Sequence, residues 1–203
     1  MSEDALALLS DKGYILAAHS EAFKKKHGIY SVATFYKEGA VTIHESSTIF
    51  LPRGLWEIYE LIWRGFSRRP VISTHFSIKD RQISLFNVHL SPFSANSLRN
   101  KQLYKMLEEA YLANNPTIIL GDFNYPYNRS NLESLFTKYG FKEATTNIFH
   151  TFYKTIRILP IKFKLDYVFY KNFENVETKR IQAFTTDHTP IIATFRISQE
   201  KSS

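Results

Sequence analysis

The spacing of apolar positions changes several times along the chain and divides its first half into one helix and a set of strands. A short helix is predicted at the start, where Ser2 and two acids precede Leu6, Leu8 and Leu9 and where Gly13 ends the pattern. Runs rich in β-branched and aromatic residues follow and predict consecutive strands. These runs are YILAA, YSVATFYK, AVTIHESSTIF, VISTHFSI and ISLFNVHL.

The second half of the chain mixes helices and strands. Helical spacing from about residue 94 to 113 predicts a long amphipathic helix, and TIILGD after it predicts a short buried strand. A capping-box pattern from Ser130 to Glu133 predicts the start of another helix, which Gly140 ends. Further strands are predicted at IFHTFYK, at FKLDYVFYK, over residues 176–184 and at PIIATFRI. Because strands and helices do not alternate strictly, we expect layered α/β (α+β) packing.

Composition limits the organisation and the chemistry of the chain. Its 203 residues, of which 44% are hydrophobic, are enough for one sizeable core, so we expect a single domain over residues 1–203 with a frayed tail at 198–203. The absence of cysteine excludes disulfides, thiolate nucleophiles and iron-sulfur clusters. The acidic N-terminus is unlike the basic start of a signal peptide, and no apolar stretch is long enough to span a bilayer, which predicts a soluble, cytoplasmic protein.

The balance of charge favours a polyanionic partner. A formal net charge of +7 suits phosphates or anionic lipid headgroups, because lysine and arginine gain free energy by displacing counterions from them. A basic surface that serves only solubility is the alternative. Charge therefore indicates a class of partner without naming one.

Polar residues collect at the ends of four apolar segments, FNVHLSP, IILGDFNYP, KLDYVFY and TTDHTPI. Strand ends are where α/β sheets usually build their sites. Asp122 and Asn124 could orient a water molecule or hold a metal or phosphate oxygen. Asp166 lies among apolar residues, where an unpaired carboxylate is costly, so it needs a partner such as the imidazole of His188. His89 closes its strand before a Ser-Pro break.

Each of these segments also has an ordinary structural explanation. Gly, Asp and Asn all favour turns, so GDFN is also typical of a plain strand-to-turn junction. The adjacent Asp187 and His188 are also common loop chemistry, and His89 suits a hydrogen-bonded structural histidine. The order of the segments along the chain is more specific than any one of them.

In that order, VHL with Arg99 and Gln102 on the next helix, then GDFN, LDY and DH, the chain resembles the endonuclease/exonuclease/phosphatase family. The resemblance covers about residues 13–197 and implies a DNase I-like layered sandwich, with two mixed β-sheets packed face to face and flanked by helices. It implies metal-dependent hydrolysis of a phosphate ester.

The resemblance also assigns roles to single residues. It implies that His188 is a general acid or base held by Asp166, and that Asp122 positions or activates the attacking water. It implies that Asn124 and His89 steady the phosphate oxygens. Asp187, Asp122 and Asn124 are the implied ligands of a divalent cation, Mg²⁺ or Mn²⁺. Arg99 and Gln102 would brace the site from behind, and Thr151 would be architectural.

The resemblance departs from the family at its front. The family begins with a strand that ends in asparagine and then a strand that ends in Gln-Glu, whose glutamate is a main metal ligand, and neither segment is present in this sequence. We therefore expect the domain to be N-terminally incomplete. A catalytically weakened family member, which binds a phosphate-bearing partner without cleaving it, is the alternative hypothesis.

The substrate is left open between nucleic acid and a phospholipid headgroup, because the four segments handle the phosphate and not what it carries. The segment from residue 49 to 70, interpreted as an unusual loop region, combines two tryptophans with Arg53, Arg64, Arg68 and Arg69. This mixture suits peripheral contact with a membrane interface, or stacking on nucleotides. A helix that covers the sheet with solvated arginines is the alternative.

Overall fold

A computed structural model of the chain describes residues 3–25, 28–64, 67–92, 94–156, 159–182 and 186–197. The described part contains helices and strands in mixed order. The helices are α1 (Glu3–Asp11), α2 (Leu55–Arg64), α3 (Asn96–Leu112) and α4 (Arg129–Lys138). The strands are β1 (Tyr14–Lys25), β2 (Gly28–Lys37), β3 (Thr42–Phe50), β4 (Pro70–Ile78), β5 (Arg81–His89), β6 (Thr117–Asp122), β7 (Lys142–Glu143), β8 (Phe152–Ile156), β9 (Leu159–Phe163), β10 (Asp166–Lys171), β11 (Phe173–Arg180) and β12 (Ile191–Ile197).

A six-stranded mixed sheet forms the centre of the fold, with strand order β3-β4-β5-β6-β10-β7. Strands β5 and β6 are parallel, and the other neighbours in the sheet are antiparallel. The long helix α3 connects the parallel pair, as a parallel connection requires. The carboxyl ends of β5 and β6 therefore meet at the same edge of the sheet.

One face of this sheet carries the hydrophobic core. Phe86, Ile119 and Phe169 point from three strands to this face, where they meet Leu103 and Met106 of α3. Side chains of α4 join the same cluster, including Phe136, whose ring stacks on Phe169 with centroids 3.7 Å apart. The helices thus form one outer layer.

The opposite face is covered by two β-hairpins. The β1-β2 hairpin lies over β4 and β5, where Asn87 on that face donates from Nδ2 to the Ala33 carbonyl at 3.0 Å. The β11-β12 hairpin lies over β10 through the contact of Phe195 with Tyr170. The predicted sandwich is therefore confirmed, with a six-stranded mixed sheet and smaller antiparallel sheets as its strand layers.

Three local predictions were wrong or incomplete. Residues 55–64, interpreted as part of a loop region with a helix as the alternative, form α2; Arg53 and Arg68 are exposed as that alternative expects, whereas Arg69 is buried. The capping box is also wrong, because α4 begins at Arg129 after Asn128, which adopts a left-handed φ of 58°, and Glu133 instead forms an i,i+4 ion pair with Arg129 at 2.7 Å. The predicted strand FKLDYVFYK is divided between β9 and β10, because the chain leaves the β8-β9 hairpin at Lys164 and enters the main sheet at Asp166.

Other predictions are not tested by the described residues. Ser2 and the tail at 198–203 lie outside them. The single, N-terminally incomplete domain stays a prediction, and so does the cytoplasmic location. Among the described residues no helix is long and apolar enough to cross a bilayer.

Candidate active site

The candidate site begins at two neighbouring parallel strands. His89 ends β5, Asp122 ends β6, and the two residues are register partners. The Nε2 atom of His89 lies 3.7 Å from Oδ2 of Asp122. This pairing follows from the parallel register, which sequence periodicity alone does not specify.

Gly121 allows the two strands to approach each other closely at this point. Its φ is +136°, and a Cβ atom at this position would lie 2.0 Å from the Val88 carbonyl oxygen. Glycine is therefore required before Asp122 for both conformation and space. The glycine of GDFN thus sets the position of the carboxyl end of β6.

The third strand of the site is β10, on the other side of β6. Asp166 is the first residue of β10 and pairs in register with Asp122, so the two carboxylates face each other across an antiparallel pair. The buried Thr151 accepts backbone hydrogen bonds from Leu165 and Asp166 at its Oγ1, both at 3.0 Å. Thr151 thereby holds the start of β10 in place.

His188 reaches the cluster from the loop before β12. Its Nδ1 lies 2.8 Å from Asp166 Oδ2, which is the partnership expected for a carboxylate in this apolar setting. Its Nε2 lies 3.9 Å from Asp122 Oδ2. Asp122 is therefore flanked by two imidazoles, and a third carboxylate-imidazole contact holds one of them.

Contacts with the segment at the start of β8 hold the His188 loop. The Thr189 amide donates to the Thr151 carbonyl at 2.7 Å, and the Tyr153 amide donates to the Asp187 carbonyl at 2.8 Å. The ring of Phe152 meets that of His188 edge-on, with centroids 5.1 Å apart. Sequence reasoning missed Phe152, although its position directly after Thr151 could have indicated a role near the site.

Asn124 is placed at the cluster by a tight turn. It adopts a left-handed φ of 47°, its amide donates to Asp122 Oδ1 at 2.8 Å, and its Nδ2 donates to the Leu90 carbonyl at 3.0 Å. The side chain thus links the segment after β5 to the segment after β6. Its carboxamide oxygen can bind a cation, and Nδ2 has a second proton with which to donate a hydrogen bond.

Arg99 and Gln102 hold the segment that follows His89. Arg99 donates to the carbonyls of Ser91 and Pro92, at 3.0 and 2.7 Å. Gln102 donates to Ser91 Oγ at 2.8 Å and accepts from the Ser91 amide at 3.3 Å. Both are buried side chains of α3, so they lie behind the cluster and not in it.

The electrostatics of the cluster favour an acid-base site. Burial, together with the negative charge of Asp166, raises the pKa of Asp122 to about 7, although His188 and hydrogen bonds from Asn124 act in the opposite direction. The hydrogen bond to Asp166 raises the pKa of His188 above its ordinary value, although burial opposes this. Asp122 therefore exchanges its proton close to neutral pH, and His188 keeps its proton to a higher pH than a free imidazole does.

Potential metal-binding atoms are concentrated in the same place. Within the described residues, one oxygen each of Asp122 and Asp166 and one ring nitrogen of His188 lie within 4.8 Å of one another. Asp187, predicted as a ligand, is exposed next to His188 and is not a member of this group. Its role as a ligand stays a prediction.

A cavity of about 350 Å³ opens beside Asp166 and His188, with Leu120, Val168 and Ile191 in its wall. Another cavity, of about 730 Å³, lies beyond the opposite end of β6, next to Pro116. A strand of this length separates the two ends by roughly 16–20 Å. We assign the site to the smaller cavity because Asp166 and His188 line it.

Comparison with known proteins identifies the fold. No protein-family model matches the sequence. A UPF0294 protein of Photorhabdus laumondii is 29% identical over 131 residues, which cover 64% of this chain and 48% of that protein. The chain therefore matches about half the length of this relative.

Solved structures match over nearly the whole chain. The human Nocturnin catalytic domain with bound sulfate superposes with a TM-score of 0.74 at 16% identity, over 97% of this chain and 77% of that one. D. rerio TDP2 with a single-strand DNA product superposes with a TM-score of 0.71 at 16% identity, over 97% of this chain and 83% of that one. The mannosyl-6-phosphatase of Bacteroides thetaiotaomicron superposes with a TM-score of 0.69 at 19% identity, over 94% of this chain and 82% of that one.

Further matched structures, from Bacteroides vulgatus and Leptotrichia buccalis, are named as endonuclease/exonuclease/phosphatase family proteins. The chain has the fold of this family. The fold expected from the four ordered segments is thus confirmed. In this endonuclease/exonuclease/phosphatase fold, the residues of those segments meet at one edge of the central sheet.

Proposed function

We propose that this chain is a divalent-metal-dependent phosphoesterase, which hydrolyses a phosphate ester by attack of water. The observation that carries the proposal is the Asp122 carboxylate, which lies between the imidazoles of His89 and His188 while Asp166 holds His188. An acid and a base that exchange protons near neutral pH are what such a hydrolysis needs.

Asp166 orients the general acid. By accepting the Nδ1 proton of His188, its carboxylate fixes the ring and leaves Nε2 toward Asp122. Protonated His188 then donates its Nε2 proton to the oxygen of the leaving group as the phosphorus-oxygen bond breaks. Because the pKa of His188 is raised, more of it carries this proton at neutral pH than in free histidine.

Asp122 positions and activates the attacking water. Its pKa of about 7 is matched to the removal of a proton from water near neutral pH, as the water oxygen forms its bond to phosphorus. Asn124 and His89, on either side, would hold the non-bridging phosphate oxygens. The proton taken by Asp122 and the one given by His188 balance in the overall hydrolysis.

The donor set fits a hard divalent cation. The close carboxylates of Asp122 and Asp166 supply hard oxygen ligands, and the raised pKa of Asp122 indicates a place where additional positive charge is stabilising. Asp122 and Asn124 would hold Mg²⁺ or Mn²⁺ there, and the exposed Asp187, outside the close group, would add its carboxylate from the neighbouring loop. When bound, the cation neutralises negative charge that builds up on the phosphate oxygens.

The substrate class is proposed as a phosphate ester of nucleic acid or of a phospholipid headgroup. A net charge of +7 supports a polyanionic substrate. The fold by itself does not choose, because its matched structures include a protein with a single-strand DNA product and a sugar phosphatase. The choice depends on the walls of the cavity beside His188.

The proposal is tested by hydrolysis of bis(p-nitrophenyl) phosphate with Mg²⁺ or Mn²⁺, against EDTA. We expect metal-dependent turnover that His188→Ala abolishes and that His44→Ala, at an exposed histidine of β3, leaves unchanged. Calorimetric titration with Mn²⁺ provides a second measurement, and Asp122→Asn is expected to weaken binding. Metal-independent turnover would overturn the proposal. If the chain binds phosphate but cleaves none of this diester, single-stranded DNA and phospholipid, the result would favour the non-cleaving hypothesis.

A further inference from the structure

Helix α2 has its polarity reversed relative to an ordinary surface helix. A helix that covers a sheet normally buries its apolar side chains and exposes its acids. In α2, Glu57 and Glu60 are buried, whereas Leu55, Ile62 and Trp63 are 87%, 72% and 73% exposed. The exposed large apolar side chains of α2 follow helical spacing and are Leu55, Trp56, Ile58, Tyr59, Ile62 and Trp63.

Buried ion pairs hold α2 in this orientation. Arg69, also buried, donates from Nε to Glu57 Oε1 at 3.2 Å, and its guanidinium lies 3.6 Å from Glu60. Ser67 Oγ donates to Glu60 at 3.2 Å, and Glu57 accepts from the Gly54 amide at 2.9 Å. Because both acids have partners only when they face inward, the apolar face of α2 is kept outward.

The outward face has the composition of a membrane interface. The rings of Trp56, Tyr59 and Trp63 follow one another along it, with centroids 5.5 and 6.0 Å apart. Arg53 and Arg68 are exposed beside it, and the Arg68 guanidinium lies 4.9 Å from the exposed ring of Phe50. Tryptophan, tyrosine and arginine are favoured where an apolar interior meets anionic headgroups.

We propose that the apolar face of α2 docks the protein on an anionic lipid bilayer. Charge favours a bilayer over a second copy of the chain as the partner. The described acids of α2 are buried, so in a symmetric dimer the exposed arginines beside α2 would lie opposite the same arginines of the other copy and repel them. Shape supports it as well, because a ridge of six side chains on one helix is suited to insertion and not to enclosing a ligand.

Docking through α2 would bring the candidate active site close to the lipid headgroups. Helix α2 joins the end of β3 to the start of β4, and β4 pairs antiparallel with β5, whose last residue is His89. Gln102 also donates both to the Pro52 carbonyl, three residues before α2, and to Ser91 Oγ, two residues after His89. The docking face and the catalytic cluster thus share one edge of the sheet.

The two tryptophans of the chain are both on α2, so their fluorescence reports on this face alone. The full chain is titrated in EDTA with vesicles of phosphatidylcholine alone or mixed with phosphatidylglycerol, and binding is also measured by co-sedimentation. We expect a blue shift and co-sedimentation with the mixed vesicles and weaker binding to the neutral ones. Because EDTA removes the metal, this result is independent of any hydrolysis.

Matched variants locate the contact. Ile62→Ser with Trp63→Ser is expected to weaken partitioning at least about tenfold, since burial of a large apolar side chain is worth about this factor or more. Leu112→Ser with Leu159→Ser, at exposed leucines outside α2, is the control and should bind as the parent does. Arg53→Gln or Arg68→Gln should weaken partitioning onto the mixed vesicles about fivefold and leave partitioning onto the neutral vesicles unchanged. Thermal melting establishes that each variant is folded.

Three results would overturn the proposal. One is unchanged emission and no co-sedimentation with either vesicle. Another is a tryptophan response to single-stranded DNA but not to lipid, which would assign the face to nucleotide stacking. The third is a blue shift that depends on protein concentration without lipid, which would assign it to self-association.

Discussion

At the residue scale, Asp166 has the clearest separable role. Its carboxylate makes the 2.8 Å contact that holds His188, so Asp166→Asn should leave the fold intact and misplace the proton on the ring. We expect kcat on the model diester to fall by about two to four orders of magnitude, with little change in KM.

Asp80→Asn, at an exposed turn between β4 and β5, is the matched control and should keep parental kcat. Steady-state kinetics on both variants provides the comparison. An Asp166→Asn enzyme with full kcat would remove Asp166 from the proposed mechanism.

Glu143 forms a buried ion-pair network with Lys164 and Arg129, next to the start of β10. Burial alone would raise the pKa of Glu143, but its hydrogen bonds with Lys164 and Thr145 and the charges of Lys164 and Arg129 outweigh this and lower it. The side chains of Glu143 and Lys164 are only 4% and 6% exposed. Glu143→Gln leaves a buried lysine without its charge partner, so unfolding free energy should fall by about 3–5 kcal/mol at neutral pH.

The pH dependence follows from the direction of the same shift. Because the folded-state pKa of Glu143 lies below its ordinary value of 4.5, its contribution to stability is present above that value and is lost as pH falls through the folded-state pKa. Urea unfolding of the parent should therefore show an acid-induced loss that is smaller in Glu143→Gln. The exposed pair of Glu177 and Lys179 is the control, and Glu177→Gln should cost under about 1 kcal/mol.

At the scale of elements, the junction of β5 and β6 depends on Gly121. Gly121→Ala would place a methyl group against the Val88 carbonyl and force a side chain onto a φ of +136°, so the two strands must separate. We expect a loss of at least about 2 kcal/mol in unfolding free energy and a displaced Asp122.

Gly39→Ala separates the two causes. Gly39 also has a positive φ, of 73°, but nothing lies within 4 Å of its added Cβ atom. Its expected cost is about 1 kcal/mol, from backbone conformation alone. Equal costs in the two variants, measured by urea unfolding, would show that close packing of β5 on β6 is unimportant.

At the scale of the whole molecule, net charge governs encounters with polyanions. With a formal charge of +7, the chain should bind single-stranded DNA in EDTA with an affinity that falls steeply between low and moderate salt. The slope of log K against log salt, measured by fluorescence anisotropy on labelled DNA, counts the phosphates contacted. A flat slope would exclude a phosphate-directed interaction and leave charge as a determinant of solubility.

The sequence by itself determined most of the strands, two of the helices at the core and most of the residues that meet at the candidate site. Strand runs ending at His89, Asp122 and Ile197 lie where periodicity and turn chemistry predicted them, because these signals are local. Four ordered segments were enough to indicate the fold. Their order along the chain carried information that no single segment has.

Only the tertiary structure decided which groups meet. The contact of His188 with Asp166 spans 22 residues and depends on the backbone bonds of Thr151 and Thr189, which no sequence window contains. The composition of residues 49–70 indicated a membrane or nucleotide contact, but only the buried pair of Arg69 with Glu57 explains why the apolar side of α2 faces outward. Local sequence patterns specify the periodicity and propensity of helices and strands. Which side chains contact one another depends on the free energy of interactions between residues that are distant in sequence or that pack beneath the element.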